Sequence, residues 1–334
     1  MRGYQGILSV IVGLMACGPV HAQGDADLQA RAKAIFGTLP PVAESKDNPI
    51  TDAKVQLGRT LYFDPRLSAS DTISCNSCHM LDKYGVDNEP TSPGHKGERG
   101  ERNSPTVYNA AFHFVQFWDG RAATIEEQAK GPILNPVEMG MPADVDVIAK
   151  LRAIPGYAPL FKAAFPGQPE PITYDNIALS IGAFERKLVT PSPFDRYLAG
   201  DAKALTAEQQ QGLAKFIDTG CIICHTGPLL GGSMYQRLGL VKPYPTKDTG
   251  RAQVTKNPAD AGMFKVPSLR NVEKTHPYFH DGSLKTLPEA VRQMAEYQLG
   301  KNLSDADVKL IVAFLGSLTG TIDAQYTAKP ELPK

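Results

Sequence analysis

The sequence predicts a mostly α-helical protein built as two related domains with long loops. Three observations lead there. Apolar residues recur at helical spacing behind Ser and Thr caps, while strand-like alternation is scarce. The pattern Cys-x-x-Cys-His occurs twice, at Cys75–His79 and Cys221–His225. A set of loop motifs recurs at matched spacing after each copy. The 334 residues suffice for two ordinary domains, and 42% apolar residues can fill their cores. Gly 30 and Pro 27 are high together, which fits many loops between short helices. Lys+Arg 35 balances Asp+Glu 35, so bulk charge gives no case for nucleic acid.

Taken in chain order, the N-terminus reads as an export signal. Arg2 precedes an apolar run, Ile7 to Val20, that is too short to span a bilayer well. Val20-His21-Ala22 is a small-x-small cleavage site, followed by polar Gln23-Gly24-Asp25. A signal peptide over 1–22 and a periplasmic mature protein are therefore expected. The alternatives are a retained anchor and lipoprotein processing at Cys17, where Met15 fits a lipobox poorly. No later segment is long and apolar enough to cross a membrane, so a soluble mature chain is expected.

Thr51 is placed to cap a helix carrying Val55, Leu57, Leu61 and Tyr62 ahead of the first cysteine motif. Thr206-Ala207-Glu208-Gln209 is a capping box, and Leu213, Phe216 and Ile217 give an apolar face leading into Cys221. Ser304 to Asp307 opens another helix, with Leu310, Ile311, Phe314, Leu315 and Leu318 as its buried side and Gly320 placed to stop it.

Cleavage after Ala22 leaves four cysteines, all within the two motifs, and none for a disulfide. Bare Cys-x-x-Cys also suits zinc or a thioredoxin-like pair. The adjacent His in both copies, on an exported chain, points instead to c-type haem. Two thiols at this spacing can add to the haem vinyl groups, and the His then reaches the iron. The expected architecture is two c-type cytochrome-like haem domains, 23–188 and 189–321, related by internal duplication. A tail over 322–334 is expected to pack back on the first.

The repeat extends beyond the cysteines. The same 14-residue interval separates Pro105 from Asp119 and Pro267 from Asp281. Ser104-Pro105-Thr106-Val107-Tyr108-Asn109 matches Val266-Pro267-Ser268-Leu269-Arg270-Asn271, and Phe117-Trp118-Asp119-Gly120 matches Phe279-His280-Asp281-Gly282. Polar helix starts follow near Thr124 and Thr286.

The two halves differ in what can sit opposite each His. An electron carrier keeps both irons six-coordinate, whereas an enzyme leaves one open or openable. For the second haem the methionines are Met234, Met263 and Met294; Met294, on a short segment after the Phe279–Gly282 turn, is the best candidate. For the first, His95 lies in a Gly-rich charged stretch, suited to a removable ligand. His113 is a rival in an apolar run that suits a core residue equally. Asn135-Pro136-Val137-Glu138-Met139-Gly140 has no counterpart in the second half, and Glu138 is a candidate acid–base group.

Several of these motifs together resemble the bacterial di-haem cytochrome c peroxidases, from about Leu57 to Gly320. They are Leu67-Ser68, Arg102-Asn103-Ser104-Pro105-Thr106, Phe117-Trp118-Asp119-Gly120-Arg121, Asn135-Pro136-Val137-Glu138-Met139, Phe264 to Asn271, and Tyr278 to Gly282. The resemblance implies reduction of hydrogen peroxide with electrons from a small cytochrome c or a copper protein. The haem at Cys75, Cys78 and His79 would be low-potential and peroxidatic, with His95 its displaceable ligand and Glu138 its catalytic carboxylate. The haem at Cys221, Cys224, His225 and Met294 would be the high-potential entry. Trp118 would lie between them, and Asn103, Thr275 and Pro277 would hold an inter-domain calcium. A homodimer is also implied. Two rivals remain open: a relative that oxidises tryptophans of a partner protein, in which a Tyr ligates the second haem, and a non-catalytic electron carrier.

Overall fold

A computed structural model describes residues 20–334, with side chains from Asp27 onward. The leader expected over 1–22, with Cys17, lies outside the described residues apart from the backbone of 20–22. No helix among the described residues is long and apolar enough to cross a membrane.

The chain is mostly helical with little sheet. Its helices are α1 (Val20–Phe36), α2 (Asp52–Phe63), α3 (Cys75–Cys78), α4 (Ile125–Leu134), α5 (Asp144–Arg152), α6 (Tyr157–Ala164) and α7 (Tyr174–Glu185). There follow α8 (Pro193–Leu198), α9 (Ala207–Thr219), α10 (Ala252–Thr255), α11 (Leu287–Leu299), α12 (Asp305–Gly316) and α13 (Ala324–Thr327). Strands β1 (Tyr235–Arg237) and β2 (Met263–Lys265) form one antiparallel pair, with Gln236 opposite Phe264. The expected caps form: Thr51 accepts from Lys54 N, Ser304 from Asp307 N, and Thr206 and Gln209 exchange bonds as a box. Gly320 does not stop α12, as the sequence had suggested. That helix ends at Gly316 and Ser317, and Gly320 instead donates its N–H to Asn271 Oδ1 at 2.9 Å.

Two apolar cores result. In the first, α2 packs on α7, burying Leu57, Leu61 and Tyr62 against Ile177, Ile181 and Phe184. In the second, α9 packs on α12, burying Leu213 and Phe216 against Ile311, Phe314 and Leu315. Each such side chain contributes about 1.5–3 kcal/mol when fully buried. One glycine brings each helix pair together: a Cβ on Gly58 would collide with the Ser180 carbonyl, and one on Gly212 with the Leu310 carbonyl. Each core also has a buried ion pair. Arg186 meets Glu126 at 2.9 and 3.1 Å, and Arg270 meets both oxygens of Asp195 at 2.8 Å. Removing one partner of such a pair strands the other charge and costs about 3–5 kcal/mol.

Two segments leave their own region of sequence. Helix α1, inside the stretch expected to form the first domain, packs on the second core: Phe36 meets Phe194 edge-on at 5.4 Å, and the Ile35 carbonyl accepts from Thr226 Oγ1 at 3.0 Å. The tail lies on the first core, with Tyr326 against Phe184 at 5.7 Å and the Lys334 carbonyl accepting from Gly156 N at 2.9 Å.

The loops that match in sequence also match in backbone. Asn109 and Asn271 sit at φ 62° and 60°, and Phe117 and Phe279 at 66° and 72°, all left-handed. Bridges Gln116–Ala122 and Tyr278–Leu284 close the two aromatic-x-Asp-Gly turns. Asn109 N donates to Leu188 O, and Asn271 N to Leu318 O. Both asparagine amides then converge on one hydroxyl, Thr190 Oγ1, at 2.8 and 2.9 Å.

Candidate haem sites and the ground between them

Cys75 to Cys78 form the single turn α3, and His79 closes it by donating its N–H to Cys75 O at 3.0 Å. Tyr62 OH holds the His79 carbonyl at 2.7 Å. The second motif is tighter: Cys221–Ile223 is a 3-10 turn, closed by His225 N to Cys221 O at 3.0 Å. All four thiols are free and partly buried. Burial, the first cause in each case, raises their pKa values, to about 11 for Cys78 and Cys221. Burial also lowers both imidazoles, so both are neutral and able to ligate a metal.

The donor sets fit c-type haem. His225 Nδ1 donates to the Leu230 carbonyl at 2.9 Å, which leaves Nε2 as the free lone pair. The imidazole opens on an apolar cavity whose walls include Phe216, Leu238, Phe264, Leu299 and Leu315, together with Cys221 and Cys224. Met294 lines this cavity; Met234 and Met263 do not. Contrary to the short segment expected, Met294 stands in the middle of the 13-residue α11. Among the described residues His79 Nδ1 is buried without a well-formed hydrogen bond, close to the Pro105 and Gly85 backbone. Among the described residues no three His, Cys, Asp or Glu side chains cluster to hold a metal ion, so neither Cys pair has the further ligands of a tetrahedral zinc site.

On the first side, His95 and Glu138 lie on interlocked loops. Residues 93–99 form a small hairpin closed by a Pro93–Arg99 bridge and by Gly94 N to Glu98 O at 2.8 Å. His95 N donates to the Glu138 carbonyl at 2.8 Å, and the imidazole lies over Gly140, where a Cβ would collide with Nε2. Gly140 has φ +68°, so this residue serves both the turn and the close approach. The Glu138 carboxyl accepts from Asn135 Nδ2 at 2.8 Å and borders a cleft with Phe117, Arg121 and Pro132. Burial raises its pKa, and the Arg121 charge and the Asn135 hydrogen bond oppose that rise.

In the wall of the His225 cavity, Trp118 Nε1 donates to the Asn103 carbonyl at 2.9 Å, and Asn103 N donates to His280 O at 2.8 Å. Asn103, Thr275 and Pro277 all line the cavity of His225 and Met294. Asn88 Nδ2 spans the same seam, donating to the carbonyls of Lys274 and His276 at 3.1 and 2.8 Å. Arg102 ties the halves by pairing with Asp119 at 2.5 Å and with Asp248 at 2.7 Å. The rival His113 is elsewhere: its Nδ1 meets Lys265 Nζ at 2.9 Å in the second cavity.

A family model described as di-haem cytochrome c peroxidase matches residues 52–203. The cytochrome c551 peroxidase of Pseudomonas aeruginosa is 50% identical over 306 residues, covering 90% of this chain and 88% of that protein. The chain belongs to the di-haem cytochrome c peroxidase family. The methylamine utilization protein MauG of Methylorubrum extorquens is 36% identical over 334 residues, 95% of this chain and 92% of that one. The crystal structure of a MauG-like protein associated with microbial copper homeostasis superposes with a TM-score of 0.79 at 30% identity, covering 88% of this chain and 97% of that chain.

Within this di-haem peroxidase, sequence reasoning gave no role to Arg102, Arg121, Lys265 or Glu185. The first three stand inside quoted motifs, and a charge fixed within a motif was the available signal. Glu185, the last residue of α7, is 5% exposed, and among the described residues its carboxyl has no hydrogen-bond or ion-pair partner; nothing in its neighbouring residues marks it.

Proposed function

We propose that this di-haem peroxidase reduces hydrogen peroxide to two waters with two electrons and two protons. The electrons come from a small cytochrome c or a copper protein. Cys221, Cys224, His225 and Met294 would hold the haem that receives them, and Cys75, Cys78 and His79 would hold the haem that meets peroxide. When bound, the haems supply the electron storage and the cleavage of the O–O bond. The observation that carries the direction is the contrast in side chains: a methionine on a fixed helix beside His225, against a carboxyl and a loop histidine on the other side.

Each residue has a defined task in this reading. Met294 is a thioether donor, which favours a high potential. A Tyr there would favour the tryptophan-oxidising alternative. His95, on its hairpin, would serve as the removable ligand at the first site. Glu138 takes a proton from one peroxide oxygen and returns it to the other; burial raises its pKa, so the carboxyl holds a proton more readily than an exposed one. Trp118 lies on the route between the haems. Asn103 Oδ1, with the carbonyls of Thr275 and Pro277, offers the oxygen ligands a calcium ion prefers. The matched loop geometry supports duplication of a one-haem unit, with domains over 23–188 and 189–321. Export to the periplasm by the leader over 1–22, and a homodimer, complete the proposal.

The test is stopped-flow mixing of half-reduced protein with peroxide. With calcium, rapid peroxide consumption and loss of the six-coordinate spectrum of the first haem are expected; with chelator, that haem stays six-coordinate and consumption slows. Fully haem-loaded protein that consumes no peroxide in either state would overturn the reading.

A further inference from the structure

Lys265 is an anomaly that the proposed electron path leaves unexplained. It is 5% exposed, yet among the described residues it forms no ion pair. Its Nζ donates to His113 Nδ1 at 2.9 Å and to the Val115 carbonyl at 3.2 Å. The carboxylate whose charge it feels is Asp119, which Arg102 and Arg121 already hold at 2.5 and 3.0 Å. Without a counter-ion, burial pulls the amine down to about 7. A buried lysine with no acid is costly, and an apolar side chain would fill the same space without that cost.

His113 extends the argument. When Lys265 is charged it can only donate, so His113 Nδ1 then accepts from it and the imidazole proton resides on Nε2. Among the described residues that Nε2 is buried with no hydrogen-bond partner. Both residues line the apolar cavity of His225 and Met294. Lys265 and His113 thus place two hydrogen-bond donors, one of them cationic, at a cavity whose lining includes no acid, with the Nε2 edge of His113 packed on Gly232. Such a pair is complementary to a carboxylate.

We propose that Lys265 and His113 form the seat for a propionate of the haem in the His225 cavity, Lys265 Nζ binding one carboxylate oxygen and His113 Nε2–H donating to the carboxylate as well. The inference rests on the haem reading of that cavity. The seat gives Lys265 its missing counter-ion and His113 its missing acceptor. It also fixes a positive charge beside this haem, which favours the reduced form because reduction adds negative charge. The Lys265 backbone N–H donates to the Trp118 carbonyl at 2.8 Å, so the seat is tied to the Trp118 segment.

The test compares parent holoenzyme with Lys265→Met, Lys265→Arg and His113→Phe. Haem content is read first by intact mass: a parent lacking haem on Cys221 and Cys224 would sink the haem reading itself. With both haems present, spectroelectrochemical titration and redox-difference infrared spectra are recorded. Lys265→Met is expected to lower the reduced-to-oxidised ratio of the Met-ligated haem at fixed potential by on the order of tenfold, and to shift its propionate carboxylate band. Lys265→Arg is expected to restore most of the ratio, and His113→Phe to shift the band with a smaller loss. An unchanged band and ratio in a fully loaded Lys265→Met, or in His113→Phe should Lys265→Met fail to fold, would overturn the seat.

Discussion

The two halves of this peroxidase share a frame and diverge at the open side of each histidine. Both have a helix pair drawn together at a glycine, a buried arginine–carboxylate pair, and an aromatic-x-Asp-Gly turn with a left-handed aromatic residue. Around His225 the fittings are rigid: a carbonyl fixes the imidazole, and Met294 stands on a three-turn helix. Around His79 the corresponding pieces are loops, with His95 on a hairpin and Glu138 on the turn that faces it. One frame thus carries a methionine on a helix beside one histidine, and a histidine and a carboxylate on loops in the other half.

The contrast is broken most severely at Glu138. Glu138→Gln keeps the size and the Asn135 contact but removes proton exchange, so peroxide turnover should fall by ~10²–10⁴-fold while both haems stay bound. Steady-state assays with reduced donor in excess decide it; near-parental turnover would return the acid–base role to another group.

A smaller effect is expected at Met294. Met294→His would give the second half the histidine pairing proposed for the first, and should lower that haem's potential by part of the ~0.8 V that axial ligands span. Redox titration reads this directly. An unchanged potential would move the ligand to Met234 or Met263.

The smallest effect concerns stability. Burial raises Glu185, in the first half, from 4.5 to about 8, with Glu126 adding to the rise and Arg186 opposing it. Between those values the native state binds more protons than the unfolded one, so stability falls as pH rises through that window. Glu185→Gln removes the term. Its unfolding free energy should gain on the parent by a few kcal/mol between about pH 5 and pH 8. Parallel denaturation curves at both pH values would show that Glu185 finds a partner in the loaded enzyme.

Much of this was legible in the chain because it is local. Thr51, Thr206 and Ser304 cap their helices through neighbours three residues away, and each haem motif spans five consecutive positions. What escaped is held by distance. Arg102 meets Asp248 across 146 residues, and Lys265 meets His113 across 152. No periodicity encodes such pairs, since tertiary packing alone brings them together. The same applies to α1, whose own residues do not say which core it joins. Gly320 was misread for a related reason: a glycine after a helix suits a C-cap, but this one answers to Asn271.

Thr190 has a mechanical consequence. Its hydroxyl receives the amides of Asn109 and Asn271, its own N–H returns to Asn109 Oδ1 at 3.0 Å, and the side chain is wholly buried. Swinging one half about the other would tear this rivet, at about 1–3 kcal/mol for each buried group left unsatisfied. The His95 hairpin, by contrast, is exposed over residues 96–100 and needs to break few bonds to move. The softest part of the first site is therefore the His95 hairpin, mounted on a body that Thr190 pins to the other half.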